Sequence, residues 1–183
     1  DSGKWISRML KTIDLIPDIA KQTKQWYESE KDELKRFKNI IVIGYDKCIP
    51  AATEGALKIL ETVQCCVRYY ELEEFMHGIY HGIDKSTFIL ALGNQSRHLD
   101  RMIRLLGYLK EHKNATTYLI SQNKVTKHDF SYPFIEDSLF VSFEYLTVLQ
   151  VLGELMCHDR GIDLYDIVDE NFHEYMESYV YEK

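Results

Sequence analysis

Asn39-Ile40-Ile41-Val42-Ile43-Gly44 is the stretch whose reading decides the fold. Ile40 to Ile43 are all β-branched, and the run stops at a glycine. A short apolar run without alternation suits a strand buried on both faces, as in a parallel sheet. Pro50 can open a helix, because its missing N–H is unneeded at the first helical position, and that helix is expected to reach about Gln64. Further strands are expected at Val67 to Leu72, Thr87 to Leu92 and Ala115 to Ser121, with part of a fifth at Phe134 to Glu136. Between them, the helix Arg97–Lys113 shows Leu99, Met102, Ile103 and Leu106 at helical spacing, with Ser96 as its N-cap. A long helix over 138–158 and a short one around 167–177 complete the pattern. Strands alternating with helices imply a three-layer α/β/α sandwich with a mostly parallel, roughly five-stranded sheet. Upstream, residues 1–38 read as a helical segment, with two helices broken near Pro17, leaving 39–183 as the α/β domain.

At 183 residues the chain suits one domain with a sizeable core. Its net charge of −7 is uneven, since residues 1–153 hold 20 basic and 20 acidic side chains and 154–183 hold 2 and 9. The acidity thus belongs to the C-terminal part, and the lack of a basic stripe speaks against nucleic-acid binding. The longest apolar stretch, Ser138 to Cys157, is interrupted by Glu144, Gln150 and Glu154, which marks a core or interface helix and argues against a membrane span. Nothing resembles a signal peptide. Cys65 and Cys66 are adjacent, while Cys48 and Cys157 stand alone in apolar surroundings. Reduced thiols in a cytoplasmic protein are the expectation, because adjacent cysteines rarely meet disulfide geometry.

The second helix carries the chemistry. Glu54, Lys58 and Glu61 fall at i, i+4 and i+7, so two carboxylates and an ammonium share one stripe. Ala56, Leu57, Ile59 and Leu60 are expected to press that helix against the sheet. Taken alone, such a stripe also describes a solvated helix face. Glu74-Phe75-Met76-His77-Gly78 follows in a segment, 73–85, without helical period. A carboxylate beside a lysine, with a histidine nearby, can move protons next to a carbonyl. Ligands of such sheets sit at the carboxyl ends of strands, which places Gly44, the loop Gly93-Asn94-Gln95-Ser96 and the loop after the second strand around one crevice. His77 and His81 have metal-compatible spacing but no third ligand, so no metal site is expected.

Glu54-Gly55-Ala56-Leu57-Lys58, then Glu61, then Glu74-Phe75-Met76-His77-Gly78, resembles the second sugar-isomerase (SIS) domain of two-domain phosphosugar enzymes. The isomerase half of glucosamine-6-phosphate synthase and the fructosamine-6-phosphate deglycases carry similar E-G-A-L-K-x-x-E and E-x-x-H-G motifs. The resemblance covers most of 39–183. It implies Glu61 as the base shuttling a proton between C1 and C2. It implies His77, supplied in the synthase by the neighbouring subunit, as the group that assists ring opening. Lys58 joins them as a catalytic residue, and Glu54, Glu74 and Gly44 become substrate-binding residues. It further implies a 6-phosphorylated sugar or amino sugar as substrate, no cofactor, a homodimer, and an N-terminal SIS half missing from this chain.

Two departures matter. The family's first half holds the sugar phosphate with a loop much like S-x-S-G-x-T, whereas the matching loop here is Leu92-Gly93-Asn94-Gln95-Ser96-Arg97. The synthase also ends in a tail with a catalytic lysine, and aligning Ser178 to Glu182 with it puts Glu177 at that place. Deglycase-like or other amino-sugar phosphate chemistry is therefore expected ahead of the synthase reaction. A non-catalytic phosphosugar-binding module of a regulator is the alternative.

Overall fold

β1 (Asn39–Gly44) pairs in parallel with β3 (Thr87–Gly93), from Asn39 opposite Thr87 to Ile43 opposite Ala91. β2 (Cys66–Glu71) adds to one side of β1, and β4 (Thr116–Ser121) and the two-residue β5 (Phe130–Ser131) extend the other side. The result is a five-stranded, all-parallel sheet in the order β2-β1-β3-β4-β5. The structure, a computed structural model, describes residues 2–165 and 170–177.

Side chains alternate across the pleat, and the apolar run of β1 divides accordingly. Ile40 and Val42, with Phe88 and Leu90 of β3, pack under α1 (Ser2–Leu34), α2 (Ile49–Val63) and α5 (Val141–Asp159). Ile41 and Ile43, with Ile89 and Ala91, pack under α3 (Leu72–Met76) and α4 (Leu99–Lys113). Every β3 residue is buried, as a central strand covered on both faces requires. Each such aliphatic side chain contributes about 1.5–3 kcal/mol on burial. The three-layer α/β/α sandwich expected from the sequence is thus the observed fold.

Five local expectations need correction. α1 is one helix, with Pro17 inside it. Pro17 is solvent-exposed, so the carbonyl that its ring deprives of a partner stays hydrated. Thr12 on one side, and Ile19, Trp26 and Leu34 on the other, are buried, and Arg8 pairs with Asp137 at 2.6 Å, so both halves are anchored. The fifth strand lies at Phe130–Ser131 rather than 134–136. The buried Asp129 carboxylate accepts the N–H groups of Leu119, Val125 and Thr126 and so sets the pairing earlier in the chain. Glu136 has left-handed backbone (φ 53°), which ends any extended run there.

The segment 73–85 holds α3 and a 3-10 turn at Ile79–Gly82. α3 begins where the Glu71 carboxylate accepts the N–H groups of Glu73 and Glu74, and its five residues are too few for a period to show. α4 starts at Leu99 rather than Arg97, and the Ser96 hydroxyl accepts the N–H of His98 just outside it. Of the short helix expected around 167–177, Glu170–Tyr175 is helical, while 167–169 and the tail Ser178–Glu182 lie outside the described residues.

α2 rests on α5 through two glycines. A Cβ on Gly55 would strike the Leu149 side chain, its Cβ lying 2.8 Å away, and a Cβ on Gly153 would sit 3.0 Å from Thr62 Oγ1. With Gly55, Ala56, Ile59 and Val63 turned inward, Leu57 and Leu60 face solvent, 46% and 42% exposed. The expectation that those two leucines press on the sheet is therefore wrong. Gly55→Ala is expected to destabilise the fold by about 1–3 kcal/mol through overpacking, against a helix-propensity gain of at most about 1 kcal/mol. A urea-unfolding midpoint equal to or above that of the parent would contradict this packing.

Candidate active site

The motif on α2 divides between two jobs. Gly55 and Ala56 face the interior, while Glu54, Lys58 and Glu61 form one outward cluster. The Lys58 ammonium donates to Glu61 Oε2 at 2.8 Å and lies 3.6 Å from Glu54 Oε1. The hydrogen bond to Glu61 and its charge hold the Lys58 pKa above its ordinary value. All three side chains are 38–46% exposed, so in the chain alone this is a solvated ion-pair cluster. Leu57 and Leu60 of the same helix are both more than 40% exposed. A carboxylate meant to act as a base next to apolar groups gains basicity when such a surface is covered and dried.

His77 closes α3 as its C-cap, and its Nδ1 lies 2.6 Å from the Glu73 carbonyl oxygen. A carbonyl can only accept, so Nδ1 donates to it and Nε2 is the ring nitrogen left facing outward. Gly78 follows with φ 144°, a conformation that L side chains rarely adopt, and this frees the chain to turn directly after His77. Glu74 is exposed beside it. Gly44 is buried at the end of β1, where a Cβ would come within 3.1 Å of Ala52 Cβ and Cys48 O, so its visible task is close packing.

The loops expected to surround a crevice at the carboxyl ends of the strands are joined there by side-chain contacts. The Tyr45 hydroxyl donates to the Asn94 carbonyl at 2.6 Å, and Arg101 of α4 pairs with Glu73 of α3 at 2.7 Å. His98 Nε2 is 3.8 Å from Asp46 Oδ1. Glu74 and His77 belong to this end. Glu61 belongs to the other, because α2 returns antiparallel to the strands and delivers the chain through Gln64 to the start of β2. The six residues of β2 at about 3.3 Å each hold the two ends roughly 17–20 Å apart. The fold brings together Glu54, Lys58 and Glu61, and it does not bring Glu61 to His77 of the same chain.

Near that far end, a cavity of about 570 Å³ opens between Lys35, Lys38, Gln64, Cys65 and Arg160. The last turns of α1 and α2 converge there, and their negative dipole ends account for the basic side chains. Among the described residues no cluster of three metal-ligating side chains occurs, the cysteines are free, and no helix is long and apolar enough to cross a membrane.

One polar cluster escaped the sequence reading. Glu144 on α5 is fully buried, its Oε2 accepts the Glu136 N–H at 3.3 Å, and its Oε1 has no partner. Glu136 in turn accepts from the Tyr145 hydroxyl and from the N–H of Gln95, each at 2.7 Å. Burial pushes the Tyr145 and Tyr45 hydroxyls and the Cys48 thiol up, and all remain protonated. Burial likewise raises Glu144 to about 7, with the nearby Glu136 and Asp137 charges adding to the shift. The only sequence signal was an acid inside an apolar helical run.

Residues 33–127, over half the chain, match the family model for the SIS domain, and the chain belongs to that family. A glutamine–fructose-6-phosphate aminotransferase (isomerizing) of Wigglesworthia glossinidia brevipalpis is 26% identical over 161 residues, which are 83% of this chain and 26% of that protein. A candidate phosphosugar isomerase of Clostridium difficile 630 superposes with a TM-score of 0.84 at 26% identity, covering 95% of this chain and 49% of that one. A candidate sugar-binding protein of Salmonella typhimurium LT2 superposes at 0.73 with 30% identity, over 83% and 47%. The chain thus spans about a quarter of the curated relative and about half of the solved ones.

Because the Glu144 pKa lies above the unfolded carboxyl value near 4.5, the folded state holds the extra proton. The contribution is complete below pH 4.5 and is lost as pH rises through about 7, an effect of order 3 kcal/mol. Glu144→Gln, neutral throughout and still able to accept from Glu136, is expected to remove most of this loss. It should unfold at higher denaturant than the parent at pH 8, and a parallel decline of both proteins between pH 5 and 8 would contradict the assignment.

Proposed function

We propose that this chain is one half of a two-SIS phosphosugar enzyme that isomerises or deglycates a 6-phosphorylated amino sugar or fructosamine. The observation that carries the reading is the Glu54–Lys58–Glu61 cluster, one ammonium between two carboxylates on a helix face edged by exposed apolar side chains. Glu61 takes a proton from the carbon beside the substrate's carbonyl or imine carbon and returns it to the neighbouring carbon, moving it between C1 and C2 through an enediol- or enaminol-like intermediate. Lys58, hydrogen-bonded to Glu61 and close to Glu54, holds the base in place beside the substrate. Glu54 orients sugar hydroxyls. His77 presents Nε2 for the proton of the ring oxygen during opening, with Nδ1 fixed by the Glu73 carbonyl. Glu74 and Gly44 line the crevice.

Two facts support a multi-chain site. Glu61 and His77 of one chain stand at opposite ends of β2, and the chain spans about half the length of its solved relatives. In this reading the active protein has a second SIS half that reads the phosphate, and a homodimer in which the partner's histidine approaches Glu61. The isolated chain is then inactive. A second reading, a phosphosugar-binding module without turnover, draws support from the likeness to the Salmonella protein and from the solvation of Glu61 in the chain alone.

The two readings part on one assay. The longer protein incubated with a fructosamine-6-phosphate is expected to release glucose-6-phosphate and free amine, detected by mass spectrometry. Glu61→Gln should lower turnover by about 10²–10⁴-fold with substrate binding little changed. Near-normal turnover by that variant would sink the mechanism. Tight phosphosugar binding with no conversion, on this substrate and on fructose-6-phosphate plus ammonia, would favour the module.

A further inference from the structure

The cavity of about 570 Å³ at the amino end of the sheet differs in charge from the other hollows of the molecule. Lys35, Lys38 and Arg160 line it together with Gln64, Cys65 and Cys66, and among the described residues no carboxylate does. Hollows of about 160, 300 and 470 Å³ elsewhere hold Asp129, the pair Glu30 and Glu33, and the pair Glu154 and Asp163, respectively. Like charges gathered around a hollow repel one another, and an anion placed between them relieves that repulsion. The Cys65 thiol does not supply one, because burial holds its pKa above the ordinary value and it stays protonated at neutral pH.

Helix dipoles draw cations to this place, since α1, α2 and α5 all end beside it, by about 0.3–1 kcal/mol each at exposed positions. That pull does not keep carboxylates out. Lys110, in the last turn of α4, feels the same pull and lies in hollows shared with Asp129 and with Glu30 and Glu33. The cations of the large cavity are also loosely engaged. Lys31 and Arg36 each pair with the carboxylate three residues back, Glu28 and Glu33. Lys35 is held only by Asp32, whose side chain is 90% exposed, and the Lys38 ammonium has no partner among the described residues. Arg160 donates one hydrogen bond to an oxygen, the Phe37 carbonyl, and its buried Nε has no partner. The guanidinium is thereby held in place with donors in reserve.

We infer that this cavity is a binding site for a phosphate monoester, held by Lys35, Lys38 and Arg160. Such an ester carries roughly −1.5 to −2 charges near pH 7 and offers three acceptor oxygens, which suits three cations around one hollow. The fixed guanidinium meets those oxygens with its planar fork of N–H groups. The volume falls within the roughly 300–1,000 Å³ of small-molecule sites, so room remains for the esterified group. Glu54, Lys58 and Glu61 take no part in the lining, and the site does not rest on the function proposed above.

The test titrates the isotope-labelled full chain with glucose-6-phosphate, inorganic phosphate and glucose in turn, at constant ionic strength, and follows backbone amide shifts. Glucose-6-phosphate is expected to give saturable shifts at Gln64, Cys65 and Cys66, inorganic phosphate the same shifts no more tightly, and glucose none. Lys38→Gln alters an exposed side chain and should weaken binding of the ester by at least about tenfold. Lys110→Gln, at the hollows that hold carboxylates, should leave it unchanged. No saturation in the parent, shifts centred on other amides, or a Lys38→Gln chain that binds as tightly as the parent would overturn the inference. Saturation by inorganic phosphate alone would overturn the assignment to an ester. None of these results bears on Glu61, whose role is read by turnover.

Discussion

The close contact of α2 with α5 is the constraint on which the rest depends. Gly55 and Gly153 let the two helices approach until any added Cβ would collide or crowd, and this contact fixes the rotation of α2 about its axis. Once Gly55, Ala56 and Ile59 face inward, helical geometry leaves Glu54, Lys58 and Glu61 no choice but to share the outer face. Leu57 and Leu60 are carried out with them.

The direction of α2 has a second consequence. A helix that follows a parallel strand must run back along it, so its last turns lie at the amino end of the sheet while the next loop emerges at the carboxyl end. Glu61 and His77, sixteen positions apart in sequence, are thereby separated by the length of β2. Their pairing within one chain is excluded by topology, whatever the side chains do. Between chains no such limit applies.

Much of this was legible before any coordinates. The β-branched run at 40–43 and the alternation of strands with helices gave the layers, and the glutamates and lysine of α2 fell on one stripe as their spacing requires. The errors have physical causes. Pro17 reads as a break because helix propensity is local, whereas packing of α1 on both sides of the proline is not. Leu57 and Leu60 read as core because hydrophobicity does not reveal which of two apolar faces a neighbouring helix will take. α3 is too short for periodicity and is set by a Glu71 cap. The half-buried Glu136 and the buried Glu144 are joined across 8 residues and a left-handed turn, and Glu136 meets Gln95 only through tertiary folding.

The central proposal is that Glu61 on α2 and His77 after α3 work together only across chains. The direct measurement mixes two inactive forms of the longer protein, Glu61→Gln and His77→Asn, under conditions that let subunits exchange, and follows turnover. Random exchange between two-fold dimers should restore roughly a quarter of parental activity, because half the dimers then carry one intact site of two. No recovery, with exchange verified by mass, would contradict the account.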